Sequence, residues 1–256
     1  MRLKTFWEKG RKAFVPYLMV GYPDYETSLE AFRRVLKAGA DILEIGFPFS
    51  DPVADGPTIQ VAHDIALKNR IRSEHVFELA STLRGEFPHI PFLLMTYYNP
   101  MYRIGLAKFC EKAKEAGIDG FIVPDLPPEE GQELKEVCQS LGLCVVFLAS
   151  PTSTEKRLRL ICQSSDSMVY FVSLTGTTGA RESLPFERLE ERLRLYRSLC
   201  NKPVVVGFGV SKPEHAKKIA QFAEGVVVGS LFVKLAGDKN LAELERVAKE
   251  INEAIR

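Results

Sequence analysis

The sequence lacks long apolar runs and has almost no excess charge of either sign. No apolar run approaches the ~18 residues that a membrane-spanning helix needs, and residues 1–12, MRLKTFWEKGRK, lack the apolar centre of a signal peptide. The 256 residues include 34 Lys and Arg against 33 Asp and Glu, a net charge of +1. This balance leaves no basic stripe for nucleic acid or for a membrane surface.

Cysteine and histidine are also scarce. The cysteines are odd in number and form no C-x-x-C pair, so we expect five free thiols in a reducing cytoplasm. No histidine shares a strand-end context with a cysteine, which argues against a catalytic thiol. The histidines fall in helical or helix-linking stretches, so we expect no metal site. The residues are Cys110, Cys138, Cys144, Cys162 and Cys200, and His63, His75, His89 and His215.

What the sequence does contain is one pattern repeated eight times, a short apolar run followed by a longer segment with helical periodicity. Continuous apolar strands separated by helices indicate parallel strands that are buried on both faces. Eight such units without a linker predict an α/β fold, a single-domain (β/α)₈ TIM barrel over residues 1–256. The predicted strands are 13–20, 41–46, 91–98, 120–125, 144–149, 168–173, 203–208 and 225–230.

Two helical segments are additions to this pattern. Residues 2–10 predict an extra N-terminal helix that caps the bottom of the barrel, and residues 58–86 predict a long helical stretch broken near 69–74. The alternative fold is a doubly wound open sheet, which would carry G-x-G-x-x-G after an early strand. The nearest match, GFGVSK at 207–212, has no third glycine and follows the seventh strand.

A carboxylate lies inside the second predicted strand. Side chains alternate along DILEIG, residues 41–46, so Ile42, Glu44 and Gly46 share one face. Glu44 should therefore point into the barrel near the end where catalytic residues lie. Burial raises the pKa of an unpaired carboxyl group, which suits Glu44 to general acid–base catalysis near neutral pH. The structural alternative is a glutamate paired with an arginine or lying at the rim.

A second carboxylate, Asp55, lies in the loop that follows this strand. Taken alone, a helix cap or a turn explains Asp55 better, as it does Asp51. Its place above the barrel mouth, in the loop that leaves the strand of Glu44, favours a catalytic role. The eight predicted strands contain no lysine, which argues against a Schiff-base aldolase. Acid–base chemistry by carboxylates is the interpretation that remains.

The ends of the seventh and eighth strands are rich in glycine. Phosphate sites in such barrels lie there, with backbone N–H groups as donors. Loop six, residues 173–185, contains two glycines that can act as hinges, and we expect it to be a mobile lid that donates to the same phosphate. Ordinary tight turns are the alternative. The residues concerned are Gly207, Gly209, Gly229 and Ser230, with Gly176 and Gly179 in loop six.

Aromatic residues occur at the predicted strand ends. Together with the phosphate site they predict a pocket for a ligand that carries a flat apolar group and a phosphate. Core packing is the alternative for each of them. They are Tyr17, Tyr97, Tyr170 and Phe208.

Five segments resemble one protein family in order and spacing. The longest, LEIGFPFSDPVADGPTIQ, is similar to the signature of the tryptophan synthase alpha subunit. The others are FVPYLMVGYPD, DGFIVPDLP, VSLTGTTGAR and GFGVSKPEHA. The resemblance runs from about residue 5 to residue 256. It implies a (β/α)₈ barrel that is a lyase of tryptophan biosynthesis and cleaves indole-3-glycerol phosphate, by a retro-aldol reaction, to indole and glyceraldehyde 3-phosphate.

The resemblance also implies roles for individual residues. Glu44 matches the family's catalytic glutamate, which shuttles a proton between the glycerol hydroxyl and indole C3. Asp55 matches the aspartate that binds the indole N–H and stabilises a cationic intermediate. The sequence departs from the family at Met19, where threonine is usual, and at Leu174. The implied substrate-binding residues are Thr178, Gly179, Gly209, Gly229 and Ser230 for the phosphate, and Tyr17, Tyr97, Ile122, Tyr170 and Phe208 for the indole.

Finally, the resemblance implies a partner. This chain would carry no cofactor, because pyridoxal phosphate belongs to the beta subunit, with which it would form an alpha2beta2 complex. We expect the interface to include Pro48 and Asp51 together with an exposed third βα-loop that presents Tyr98, Met101 and Tyr102. Without the resemblance, two alternatives stay open: a sugar-phosphate isomerase, and a catalytically weak subunit that activates a partner.

Overall fold

Parallel strands form a ring at the centre of the molecule. The computed structural model describes residues 2–172, 186–207 and 209–256. Hydrogen-bonded strands follow the order β5-β4-β3-β2-β1-β9-β8-β7-β6, and every pairing is parallel. The strands are β1 Ala13–Met19, β2 Leu43–Gly46, β3 Phe92–Met95, β4 Gly120–Ile122, β5 Cys144–Val146, β6 Leu148–Ala149, β7 Val169–Val172, β8 Val204–Gly207 and β9 Gly225–Val228.

The two ends of this strand order are two pieces of one chain segment. β5 and β6 together correspond to the single strand predicted at 144–149, which is interrupted at Phe147. The carbonyl of Phe147 accepts a hydrogen bond from the N–H of Tyr170, at 3.1 Å, so β7 continues the ring across the interruption. The predicted eight-stranded barrel is therefore confirmed, with its fifth strand in two parts.

Helices surround the ring. The predicted N-terminal helix and the predicted break within 58–86 are both confirmed, since the latter region forms α3 and α4. The helices are α1 Arg2–Trp7, α2 Tyr25–Lys37, α3 Pro57–Lys68, α4 Ser73–Glu86, α5 Tyr98–Ile104, α6 Leu106–Glu115, α7 Gln132–Leu141, α8 Glu155–Ser164, α9 Phe186–Leu199, α10 Pro213–Ala220, α11 Ser230–Gly237 and α12 Leu241–Ala254.

Local chemistry sets where several of these helices begin and end. Asp24 accepts a hydrogen bond from the N–H of Thr27, at 2.7 Å, and so caps α2. Gly142 ends α7 in the left-handed region, at φ +68°, where glycine is favoured because it has no Cβ. α5 was predicted to be a loop. It is a short helix whose first N–H, from Tyr98, donates to the Asp125 carboxylate at 2.9 Å.

The barrel interior is apolar below the mouth. Side chains from the inner faces of the strands form one buried cluster, and α1 closes its bottom with Leu3 and Phe6. The helices cover the outer faces in a second, larger cluster. Among the described residues no helix is long and apolar enough to cross a membrane. The inner cluster contains Ala13, Val15, Ile42, Leu93, Ile122, Cys144, Val146, Met168, Tyr170, Val205 and Val227.

One prediction about the cysteines is wrong. Cys162 and Cys200 form a disulfide between α8 and the residue that follows α9, with their Cα atoms 5.9 Å apart. Helix packing brings together two residues that lie 38 positions apart, a separation with no recognisable spacing in the sequence. Cys110, Cys138 and Cys144 are free, as predicted, and they are buried.

Candidate active site

Glu44 lies on β2 and is completely buried. It pairs in register with Tyr17 of β1, so both side chains lie on the inner side of the ring near its C-terminal end. Tyr170 of β7 lies across the barrel, and its hydroxyl is 3.4 Å from Glu44 Oε2. The other carboxyl oxygen, Oε1, is buried and accepts no hydrogen bond from any described residue.

These surroundings favour the protonated form of Glu44. Burial raises the pKa of Glu44 from its ordinary 4.5 to about 8; the Tyr170 hydrogen bond lowers it in part, and the nearby Asp55 charge raises it further. Two other buried carboxylates, Asp41 and Asp119 at the bottom of the barrel, are each paired with two arginines. Arg11 and Arg256 bind Asp41, and Arg2 and Arg84 bind Asp119. Glu44 thus lacks the partners that a structural carboxylate has in this chain.

Asp55 lies in the loop between β2 and α3 and is 5% exposed. Its Oδ2 accepts two hydrogen bonds, from the Tyr97 hydroxyl at 2.7 Å and from His63 Nε2 at 3.1 Å. The Tyr97 hydroxyl in turn accepts the N–H of Ala54 at 3.0 Å. The helix-cap alternative does not apply, because Gly56 is the N-cap residue of α3 and makes no side-chain cap hydrogen bond.

The predicted aromatic residues surround these two carboxylates. The charges of Asp55 and Glu44 both act on Tyr17, whose pKa rises well above its ordinary value, mainly through burial. Burial also raises the pKa of Tyr170 and of Tyr97, so all three hydroxyls stay protonated donors. Ile122 is buried in the inner cluster below them. The structure therefore brings four of the five predicted indole-pocket residues to the barrel interior or its mouth.

Glycines make room for two of these tyrosines. A Cβ on Gly46 would lie 2.5 Å from the Tyr17 hydroxyl oxygen, and a Cβ on Gly207 would lie 2.9 Å from the Tyr170 hydroxyl oxygen. Such distances are too short for a real contact. Gly46 and Gly207 are therefore required by close approach of aromatic side chains, a reason for glycine that the sequence analysis did not identify.

The predicted phosphate residues lie at the ends of β8 and β9. Gly229 precedes α11, whose first residue is Ser230, and both follow directly on β9. The first N–H groups of a helix have no partner within it, and Ser230 is exposed, so this helix start offers donors to an anion. Gly209 follows β8 with a positive φ of 34°. Thr178, Gly179, Phe208 and the whole of loop six lie outside the described residues.

The predicted interface residues differ in exposure. Tyr102 is 69% exposed on α5, Asp51 is exposed, and Tyr98 is half-buried. Met101 was expected to be exposed, and this is wrong: it is fully buried in the outer core, because the α5 region forms a helix that turns this residue inward. Pro48 is buried as well. Within the described residues, no group of three His, Cys, Asp or Glu side chains could hold a metal ion.

His63 belongs to the site although the sequence did not predict it there. It is 3% exposed and contacts Asp55 directly. The only signal in the sequence was its place beside Ala62 and Ala66, which mark the buried stripe of α3.

Comparison with known proteins places this arrangement in a family. The family model described as "Tryptophan synthase alpha chain" matches residues 3–256. The chain belongs to the tryptophan synthase alpha chain family. The family's activity is the alpha reaction of tryptophan synthase, a lyase reaction on indole-3-glycerol phosphate in tryptophan biosynthesis, and the family acts together with the beta subunit.

Individual relatives agree with this assignment. The tryptophan synthase alpha chain of Aquifex aeolicus is 68% identical over 97% of this chain and 95% of its own length. The solved tryptophan synthase subunit alpha of Legionella pneumophila superposes with a TM-score of 0.90 at 33% identity, covering 99% of this chain and 96% of that one. A chain of the tryptophan synthase complex of Pyrococcus furiosus gives a TM-score of 0.85 at 38% identity, covering 95% and 99%.

Proposed function

We propose that Glu44 and Asp55 carry out the alpha reaction in this chain, within one domain that spans residues 1–256. The observation that supports this most directly is the contrast between the two carboxyl groups. Glu44 is buried with one oxygen unpartnered among the described residues, whereas Asp55 receives two donors on one oxygen. One group is thus suited to carry a proton, and the other is held in place as a hydrogen-bond acceptor.

The proton movements balance without any other reagent. Protonated Glu44 gives its proton to indole C3, and the resulting positive charge on the ring is stabilised by the Asp55 carboxylate, which accepts the indole N–H. The carboxylate of Glu44 then takes the proton of the glycerol hydroxyl as the carbon–carbon bond breaks. The bonding electrons return to the indole ring, the hydroxyl carbon becomes the aldehyde, and Glu44 is again protonated.

The remaining predicted residues bind the two ends of the substrate. Tyr17, Tyr97, Ile122 and Tyr170, with Phe208, would enclose the indole. Gly209, Gly229 and Ser230 at the ends of β8 and β9, with Thr178 and Gly179, would bind the phosphate through N–H and hydroxyl donors. We further propose that this chain needs no cofactor, that pyridoxal phosphate belongs to the beta partner, and that the protein works in the cytoplasm.

The partner surface proposed here is smaller than the one expected from the sequence. Tyr102, Tyr98 and Asp51 are the residues that remain accessible to the beta subunit near the barrel mouth. Met101 and Pro48 are not part of this accessible surface, because both are buried in the isolated chain.

Release of indole by the purified chain tests the proposal. Wild type should form indole and glyceraldehyde 3-phosphate in equal amounts from indole-3-glycerol phosphate. Asp55→Asn should lose roughly 10²- to 10³-fold in kcat, in the range seen when a group that stabilises transition-state charge is removed. Asp64→Asn is the matched control, because Asp64 is exposed on α3 and, among the described residues, pairs only with Lys68. Equal rates for the two variants would show that Asp55 has no part in the reaction.

A further inference from the structure

His63 is a buried polar side chain with a partner on each ring nitrogen. The N–H of Phe49 is 3.0 Å from Nδ1, and Asp55 Oδ2 is 3.1 Å from Nε2. Phe49 lies at the start of the loop between β2 and α3, and Asp55 lies near its end. His63, seven residues into α3, therefore joins both ends of this loop to the helix that follows.

The two partners determine which nitrogen of His63 carries the proton. A backbone N–H can only donate, so Nδ1 must accept the hydrogen bond from Phe49. A neutral imidazole has one donor and one acceptor nitrogen, and the donor is then Nε2, which points at a carboxylate oxygen. A protonated imidazole would set an N–H on Nδ1 against the N–H of Phe49. Both contacts are satisfied together only by the neutral Nε2–H tautomer.

The same geometry leaves one side of the Asp55 carboxylate open. The hydroxyl of Tyr97 accepts from Ala54 and so directs its proton to Asp55 Oδ2, the atom to which His63 also donates. No described residue donates to Oδ1. The rings of His63 and Tyr97 pack edge to face with centroids 6.2 Å apart, and the Phe49 ring stacks on Tyr97 at 5.0 Å, which restricts all three.

We infer that His63 is a positioning residue for Asp55. Fixed as the Nε2–H tautomer by the Phe49 N–H, it holds Oδ2 from the α3 side, while Tyr97, two residues beyond β3, holds the same atom. Oδ1 is thereby turned toward the barrel mouth, where it can accept the N–H of a bound indole. The inference rests on the proposed role of Asp55, but the tautomer itself is independent of that role.

Two substitutions of His63 separate positioning from bulk. His63→Leu keeps an apolar side chain but removes the donor, and we expect kcat to fall roughly 10- to 100-fold, as for loss of one hydrogen bond to a charged group, with KM changed less than about threefold. His63→Gln retains an N–H donor at a similar reach and should restore kcat to within about fivefold of wild type. A purely structural role would not give this split between kcat and KM or the rescue by glutamine.

The control is His75→Leu. His75 Nδ1 also accepts a backbone N–H, from Arg72 at 3.0 Å, but it does so at the start of α4 and has no carboxylate partner among the residues that the structure describes. The His75→Leu substitution should leave kcat unchanged. Circular dichroism and thermal unfolding of each variant show whether it is folded, and the glutamine variant still tests the inference if the leucine variant is not.

Nitrogen-15 NMR of histidine side chains tests the tautomer directly. The wild-type signals that disappear in His63→Leu belong to His63. At neutral pH they should show a protonated Nε2 and an acceptor Nδ1. A proton on Nδ1, or a kcat for His63→Leu above half that of wild type, would overturn the inference. In an Asp55→Asn background, His63→Leu should lower kcat little further, because His63 acts through the Asp55 carboxylate that this background lacks. Full activity of Asp55→Asn alone would instead refute the proposed function and leave the NMR result standing.

Discussion

Replacing Glu44 by glutamine should have opposite effects on activity and on stability. Glutamine keeps the size of the side chain and can still contact the Tyr170 hydroxyl, but it cannot carry the proton. Loss of a positioned acid–base group costs about 10²- to 10⁴-fold in rate. Because Glu44 acts as both acid and base in the proposed reaction, we expect the upper end of that range.

The stability effect follows from the raised pKa. In the unfolded chain Glu44 ionises near 4.5, but in the folded protein burial delays ionisation to about 8. Below pH 4.5 both states are protonated and the group has no effect on the pH dependence. As the pH rises from about 4.5 to about 8, the unfolded state gains stability by ionising first, so the folded state loses stability relative to it, and above about 8 the loss is constant.

The size of this loss follows from the difference between the two pKa values. At about 1.4 kcal/mol for each tenfold change in the ionisation constant, the difference between 4.5 and about 8 corresponds to about 5 kcal/mol. Glutamine does not ionise and escapes this loss. Glu44→Gln should therefore be close to wild type in free energy of unfolding near pH 4.5, and more stable by up to about 5 kcal/mol near pH 9.

Two assays follow these effects in the same preparations. Urea-induced unfolding at about pH 5 and about pH 9 gives the stability difference, and indole release gives the rate. Glu115→Gln on α6, an exposed position, is the matched control and should show neither effect. A stability difference that is equal at the two pH values would refute the raised pKa of Glu44. A variant that keeps more than about a tenth of the wild-type rate would refute its role in proton transfer.

Three further changes test other parts of the structure. Gly46→Ala places a Cβ 2.5 Å from the Tyr17 hydroxyl oxygen, so kcat/KM for indole release should fall about tenfold, and an unchanged value would mean that Tyr17 moves without consequence. Cys200→Ala opens a disulfide that closes a 38-residue separation and should lower the free energy of unfolding by about 4 kcal/mol. Five titratable thiols in denatured wild type, rather than three, would contradict the disulfide. Tyr102→Asp should weaken binding to the beta subunit in calorimetric titration while the chain stays folded, because this side chain is 69% exposed; unaltered affinity would move the interface elsewhere.

The barrel was predictable because its signal is carried by eight separate apolar strands, each followed by a helix. The errors concern the residues at which individual strands end. The third strand was predicted to extend to residue 98, but it ends at Met95. Tyr98 starts a helix, and its N–H donates to Asp125, which lies on a different βα unit. The fifth strand breaks at Phe147, which no change in composition marks. These limits are set by contacts between distant segments and not by local propensity.

The site was predictable in part for the same reason. Strand alternation alone places Glu44 inside the barrel, whereas the need for glycine at position 46 follows only from the Tyr17 side chain that lies against it. The disulfide and the role of His63 were not predictable. Each depends on two residues that helix packing brings together, and the spacing of such pairs in the sequence is arbitrary.

The surroundings of the two carboxyl groups show most clearly why a sequence stops short of a mechanism. Glu44 and Asp55 lie on one strand and on the loop that leaves it, and both are buried. The two carboxyl groups differ in the number of hydrogen-bond donors that other strands and helices supply. Asp55 accepts hydrogen bonds on one oxygen from Tyr97, at the end of β3, and from His63 of α3. Among the described residues, Glu44 has only the Tyr170 hydroxyl of β7, at 3.4 Å. Desolvation with so few donors raises the pKa of Glu44. The different roles proposed for the two groups therefore depend on the closure of the barrel, which brings the ends of β3 and β7 and the helix α3 to the same mouth.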